Sequence, residues 1–227
     1  MANQRRRLFA KFVVQPCLRL VRTNKFDPEK VFNTFKRHYE LVPLEVFGSD
    51  PYKTLISTIL SARTRDEVTF EVSKKLFKIA PNMSRLRKLN VNELEKIIRP
   101  VGFYKTKARH LRDLSRMVDG VPNDFDGLMK LPGVGRKTAN LVLNRAFGIP
   151  AIAVDTHVHK ISNLLGFVKT KTPQETERQL VKILPKKYWS DMNRLFVSIG
   201  RQYKSQKKLK EFLKTQGLLS QGRRDSP

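Results

Sequence analysis

What most limits how this chain folds is a hydrophobic repeat of helical period, cut by Pro and Gly at short intervals. Val31, Phe32, Phe35 and Tyr39 recur at helical spacing, as do Leu55, Ile56, Ile59 and Leu60, then Val68, Val72, Leu76 and Phe77. The pattern continues through Leu86 to Ile98 and Ala108 to Val118. Pro43, Pro51, Pro81, Pro100, Pro122, Pro132 and Pro150, helped by Gly48, Gly102, Gly120, Gly133 and Gly148, break it. Strict alternation is scarce. The expected fold is therefore all-α, with roughly ten helices of about 8–15 residues. No repeat of solenoid type is present. Lys204 to Lys214 reads as a basic amphipathic helix, and the residues after Gly217 as a frayed end.

A chain of 227 residues has room for one large domain or two small ones. Its 46 Lys and Arg against 20 Asp and Glu leave a net charge of +26. Such an excess repels itself unless a polyanion relieves it, and releasing phosphate counterions is the common reason to carry it. Nucleic acid is thus the expected partner, ahead of a membrane surface. No apolar run approaches the ~20 residues needed to span a bilayer. The opening MANQRRRLFAKFVV lacks the clean apolar stretch and small-residue cleavage site of a secretory signal. The one cysteine, Cys17, can make neither an internal disulfide nor a Cys-rich metal site. An intracellular setting fits, cytoplasmic and nucleoid-associated, or nuclear in a eukaryote. His157 and His159, two apart, share no helical face, and His38 and His110 are remote in sequence, so no metal site is expected.

The chemistry concentrates in residues 124–165, DFDGLMKLPGVGRKTANLVLNRAFGIPAIAVDTHVHKISNLL. A helix near Phe125 to Lys130 ends at Leu131-Pro132, because Pro132 has no N–H and disfavours helix in the residue before it. Gly133 and Gly135 allow a tight turn and close backbone approach. A second helix starts near Gly135, runs to about Phe147 and stops at Gly148. In such a helix–hairpin–helix the N–H groups around Gly133 and Gly135 face outward, where a DNA phosphate satisfies them without regard to sequence. An ordinary helix connection is the plainer alternative.

Lys137 falls in the first turn of the second helix, where the helix dipole disfavours a cation, and Arg136 adds more positive charge. A nucleophilic amine benefits, because it must lose its proton. An ordinary lysine value of about 10.4 has to fall by ~3, worth ~4 kcal/mol, for attack near neutral pH. A phosphate-binding lysine would accept the same position. From Lys137 to Phe147 the helix climbs about 15 Å. The apolar segment Ile149 to Asp155, if extended, can return about 20 Å. Asp155 can therefore come back beside the turn holding Lys137. It also stands where a helix from Thr156 to Leu165 needs an N-cap, and the two roles are compatible.

On these residues, LPGVGRKTANLVLNRAFGIPAIAVDTHVHKISNLLGF resembles the signature of the endonuclease III family, within the helix–hairpin–helix, Gly/Pro–Asp superfamily of DNA glycosylases. ISTILSARTRDEVT and PVGFYKTKARHL resemble two further segments of that family, in the same order. The resemblance covers roughly residues 30 to 202. It implies two helical domains with a DNA-binding cleft between them: a six-helix domain over 44–150, and a second formed by 1–43 with 151–227. It implies Lys137 as catalytic lysine and Asp155 as catalytic aspartate. Related monofunctional glycosylases lack that lysine, so Lys137 implies the class that also cuts the strand. Phe103 matches a residue that wedges into the duplex, though it also reads as core. Arg63 stands where relatives often carry Gln to fill the space left by the extruded base, and it reads equally as a phosphate contact or a solvated charge. His157 matches a residue near the DNA backbone, or is a first-turn residue without a chemical role.

One departure is large. Most relatives carry four C-terminal cysteines that ligate a [4Fe–4S] cluster, and the matching stretch here has none. No cluster and no other cofactor is expected. Lys204, Lys207, Lys208, Lys210 and Lys214 stand in that stretch instead and are expected to contact phosphates. The expected function is a monomeric glycosylase and abasic-site lyase acting on double-stranded DNA with damaged bases or abasic sites, by analogy oxidised pyrimidines. The alternatives are a uracil or thymine mismatch glycosylase, mainly an abasic-site lyase, or a DNA-binding protein without catalysis.

Overall fold

The computed structural model describes residues 27–219, so Cys17 and the end of the expected frayed tail lie outside the described residues. The elements are α1 (Pro28–Arg37), a 3₁₀ turn (Pro43–Phe47), α2 (Pro51–Ser61), α3 (Asp66–Ile79), α4 (Met83–Lys88), α5 (Val91–Ile98) and α6 (Tyr104–Met117). They continue with α7 (Phe125–Met129), α8 (Arg136–Phe147), α9 (Thr156–Leu164), α10 (Pro173–Ile183), a second 3₁₀ turn (Lys186–Tyr188), α11 (Trp189–Gln202) and α12 (Gln206–Thr215). Among the described residues there is no strand, and the chain is all-α.

Most helix starts are written locally. Asp27, Asp50, Asn82, Asp124, Asp155, Thr172 and Ser205 each accept a backbone N–H of the turn that follows, and Asn90 with Glu93 forms a reciprocal capping box. The helices α3, α6, α8 and α11 have no side-chain cap.

Buried side chains gather in two clusters. One centres on Leu55, Ile56, Ile59 and Leu60 of α2, with Leu76, Leu86, Leu94, Ile98, Leu111, Leu114 and Val142 around them. In the other, Val31, Phe32 and Phe35 of α1 meet Val158, Ile161, Leu180, Leu195, Phe196 and Leu213. Phe35 packs edge-on to Phe196, with ring centroids 5.0 Å apart. The chain passes from the first cluster to the second between Ala151 and Ile152.

Polar side chains tie the clusters together. Arg145 of α8 donates to Asn193 Oδ1 of α11 at 3.1 Å, and Asn193 Nδ2 donates to the Ala153 carbonyl at 3.0 Å. Arg201 of α11 pairs with Asp66 and Glu67 in the first turn of α3.

Candidate active site

The hairpin between α7 and α8 is two tight turns in series. Leu131 N–H donates to the Leu128 carbonyl and Val134 N–H to the Leu131 carbonyl, each at 3.1 Å, and Leu131 and Val134 are buried as anchors. Gly133 has φ +78°, and a Cβ there would stand 2.7 Å from His110 Nδ1 of α6, so the fold itself requires glycine. Gly135 differs from the expectation of a shared turn role. Its φ is −111°, and a Cβ there meets nothing within 4 Å. What its bareness leaves is access from outside to the uncapped start of α8.

Lys137 is the second residue of α8; it is exposed and makes no hydrogen bond or ion pair with any described residue. Arg136 beside it is engaged. Its Nη2 donates to Glu177 Oε1 of α10 at 2.6 Å, its Nε to Oε2 at 3.4 Å, and its guanidinium lies 4.8 Å from the Phe125 ring centroid. The hydrogen bond it donates to the Glu177 carboxylate raises the Arg136 pKa.

The return segment is stapled to α8 by side chains. Asn144 Nδ2 donates to the Ala151 carbonyl and Asn140 Nδ2 to the Ile152 carbonyl, both at 3.0 Å. These bonds step backwards along the helix, so the segment runs antiparallel to α8 with Ala151, Ile152, Ala153 and Val154 buried. From Asn140 to Lys137 the helix covers ~4.5 Å. Three further residues from Ile152 reach at most ~10 Å. That is long enough for Asp155 to lie at the level of the first turn of α8. It is half-buried, and its Oδ1 accepts the Val158 N–H at 2.9 Å, capping α9. Arg145 of α8 is half-buried, its side chain largely withdrawn from solvent. Burial pulls the guanidinium pKa down, opposed first by Glu45 and then by Tyr39 and Asp155.

Arg63 and Phe103 come together as one unit. They are the non-glycine residues with positive φ among those described, at 53° and 59°. The Arg63 guanidinium carbon lies 5.3 Å from the Phe103 ring centroid, a cation–π contact. Phe103 is 60% exposed and sits at the N-cap of α6, so it is not core. His157 is half-buried, and its ring lies against Gly200 of α11, where a Cβ would collide with Nδ1. His159 is held instead by Thr176 Oγ1 at 2.7 Å. Among the described residues no three His, Cys, Asp or Glu side chains cluster as metal ligands.

The C-terminal stretch does not fit an iron–sulfur cluster. Four thiolates are the usual ligand set, and the whole chain has one cysteine. Aromatic packing holds α12 instead: Phe212 stacks on Tyr203 at 4.2 Å and meets His38 edge-on at 5.1 Å. Lys207, Lys208, Lys210 and Lys214 are exposed along it.

Sequence reasoning missed Lys107, Arg145, Glu177 and Gly200. Only Lys107 carried a signal. It lies on the apolar stripe of α6 with Leu111 and Leu114, where a lysine has no reason to be unless its charge is used.

Residues 56–186 match the family "HhH-GPD superfamily base excision DNA repair protein". Endonuclease III of Thermotoga maritima is 48% identical over 159 residues, covering 68% of this chain and 75% of that protein. Among solved structures, a non-covalent endonuclease III–DNA complex superposes with a TM-score of 0.71 at 38% identity, covering 78% of this chain and 85% of that one. A trapped endonuclease III–DNA covalent intermediate superposes with a TM-score of 0.68 at 36% identity, covering 77% and 84%.

Proposed function

Because the chain belongs to the HhH-GPD superfamily of base excision DNA repair proteins, we infer that it is a DNA glycosylase and abasic-site lyase of the endonuclease III kind, acting on double-stranded DNA. The observation that supports this reading is the stapling of Ala151 and Ile152 back along α8, which turns the segment bearing Asp155 toward the end of the helix where the unpaired Lys137 lies.

In this reading the two buried clusters are the cores of two domains, 44–150 and 1–43 with 151–227, and DNA lies in the cleft between them. Backbone N–H groups at the start of α8 take a phosphate, which Gly135 lets approach. Arg136, with two of its five donors on Glu177, keeps the others for the backbone. His157 stands beside the same strand. Phe103 enters the stack and Arg63 fills the vacated space while the damaged nucleotide turns out of the duplex. The Lys137 amine attacks C1′ and the base leaves as an anion with the electron pair of the glycosidic bond. The nitrogen lone pair then opens the sugar: the C1′–O4′ bond breaks, O4′ takes the proton that Asp155 received from Lys137, and a protonated Schiff base forms. The departed base anion takes a C2′ proton, and the elimination expels the 3′ phosphate and breaks the strand. Asp155 accepts the proton lost by Lys137 and stabilises positive charge developing on the sugar.

By the resemblance to endonuclease III, oxidised pyrimidines are the lesions proposed for removal. The chain works without an iron–sulfur cluster, as its single cysteine supports. Among the described residues no helix is long and apolar enough to cross a membrane. Chromosomal DNA, in a nucleoid or a nucleus, is the proposed place of work.

Borohydride trapping across duplexes bearing oxidised pyrimidines, uracil, a thymine mismatch or an abasic site tests nucleophile and substrate together. The wild type should give a covalent adduct, strongest on oxidised pyrimidines, and Lys137→Gln none. An adduct that survives Lys137→Gln makes another amine the nucleophile. Binding without any strand cut makes the protein a non-catalytic DNA binder.

A further inference from the structure

Lys107 is 6% exposed, and its ammonium is spent wholly on backbone and hydroxyl acceptors. Nζ donates to the Leu60 carbonyl at 2.8 Å, the Ala62 carbonyl at 2.6 Å and Thr64 Oγ1 at 3.3 Å. Three donors thus meet three acceptors. Two of these acceptors belong to the end of α2, whose C-cap is Ala62 at φ −56° rather than a left-handed glycine. A point charge on the last carbonyls also suits the negative end of the helix dipole.

The third acceptor links this end to α6. Thr64 Oγ1 also accepts the Gly102 N–H at 3.1 Å. Gly102 itself lies against the 62–64 turn, where a Cβ would stand 2.5 Å from the Arg63 carbonyl oxygen. So the residue before Phe103 and the residue after Arg63 meet at one hydroxyl, and Lys107 holds that hydroxyl from below. Arg63 and Phe103 both adopt left-handed backbone that L side chains rarely take. Such conformations persist where the surroundings over-determine them. Lys107 and Thr64 are those surroundings.

We propose that Lys107 is a positioning residue for DNA distortion: by tying the end of α2 to the start of α6 through Thr64, it sets Arg63 and Phe103 as a rigid pair aimed into the duplex. The inference rests on the DNA-distorting part of the proposed function and not on its chemistry. Lys107 does not itself touch DNA. Its burial also pushes its pKa down to about 8, as expected of a cation retained in the interior for a purpose.

The test uses the full chain and a duplex in which a tetrahydrofuran abasic analogue, inert to a lysine nucleophile, faces 2-aminopurine. Unstacking of 2-aminopurine raises its fluorescence. Lys107→Met removes the three bonds at similar volume. Thr64→Val removes only the link to Gly102 and one bond to Lys107, and it decides the matter if Lys107→Met fails to fold. Both variants should bind undamaged duplex within about twofold of wild type. The fluorescence rise at saturation should fall at least tenfold in Lys107→Met and severalfold in Thr64→Val. On a true abasic site kcat should drop while KM stays within about twofold.

Unstacking equal to wild type in a folded variant overturns the proposal. So does a loss of undamaged-duplex binding in step with unstacking, which marks a merely structural lysine. A wild type that never unstacks 2-aminopurine overturns it as well. A wild type that unstacks the base yet cuts no strand removes the lyase reading and leaves Lys107 its role.

Discussion

Asn140 donates from its buried amide to the Ile152 carbonyl at 3.0 Å, and through that one bond the third residue after Lys137 holds the third residue before Asp155. Two short chain segments are thus joined three residues from each of the two proposed catalytic side chains. Asn140→Ala strands a buried carbonyl, costing about 1–3 kcal/mol. It also frees Asp155 to drift, and a misplacement of about 1 Å costs on the order of 10²-fold in rate. Denaturant unfolding should report the first effect and single-turnover strand cutting the second, with DNA affinity unchanged. A variant that loses stability but keeps its rate would mean that Asp155 is placed by its own helix alone.

Asp155 combines two roles that substitution can separate. As N-cap of α9 it accepts the Val158 N–H, a task asparagine performs equally well. Asp155→Asn should therefore hold stability to within about 0.5 kcal/mol, whereas Asp155→Ala should lose about 1 kcal/mol. The carboxylate charge is removed in both, so strand cutting should fall by about 10²–10⁴-fold in each. Equal rates in wild type and Asp155→Asn would reduce the residue to its cap.

The hairpin glycines divide in the same way. Gly133→Ala puts a side chain at φ +78° and against His110, costing at least about 1–2 kcal/mol from the left-handed backbone alone. Gly135→Ala enters open space and should leave the melting temperature unchanged, yet it should weaken DNA binding, because a methyl group then stands where a phosphate approaches. Unfolding curves and salt titrations of binding on both variants check the pairing. A Gly135→Ala protein that binds DNA normally removes the phosphate contact at the hairpin.

The lysines of α12 offer an electrostatic test. Lys207, Lys208 and Lys210 are exposed on a helix whose other face is fastened by Phe212. Reversing all three to Glu should leave the fold intact and lower DNA affinity. Every phosphate that is no longer neutralised flattens the log–log salt slope by about 0.9. An unaltered slope places α12 away from the DNA.

Much of this was legible because its causes are local. Pro132, Gly133 and Gly148 punctuate the hairpin within a few residues. Asp155 announces the start of its helix, which it caps with its own side chain. Helix bounds such as Arg136–Phe147 and Gln206–Thr215 lie within two residues of the stretches read from periodicity. The return segment was expected to be extended, and the carbonyls of Ala151, Ile152 and Ala153 accept from asparagine side chains and not from a strand partner. That could not be read, because Asn140, Asn144 and Asn193 show no preference for a distant carbonyl in sequence. The same holds for Glu177 on Arg136, Gly200 under His157 and Glu45 beside Arg145. Each pairing joins elements far apart in the chain, and period and capping carry no record of it.

Lys107 finally gives stability a pH signature whose sign is opposite to that of a salt-bridged lysine. Burial holds its folded pKa at about 8 against an ordinary 10.5. Between those values the unfolded chain binds more protons than the folded one, so unfolding free energy from this group rises with pH. Below about pH 8 both states carry the proton, and the burial penalty is fully present. By pH 10.5 it has largely gone. A gap of about 2.5 in pKa is worth about 3 kcal/mol across the window. Other lysines and tyrosines titrate in the same range, so the useful quantity is the difference between wild type and Lys107→Met, measured by chemical denaturation at several pH values from 7 to about 10.5. That difference should climb in favour of the wild type as pH rises. A flat difference would mean that the Lys107 ammonium is as well solvated in the folded protein as in the unfolded chain, and the three-bond anchor beneath Arg63 and Phe103 would then have no buried charge at its centre.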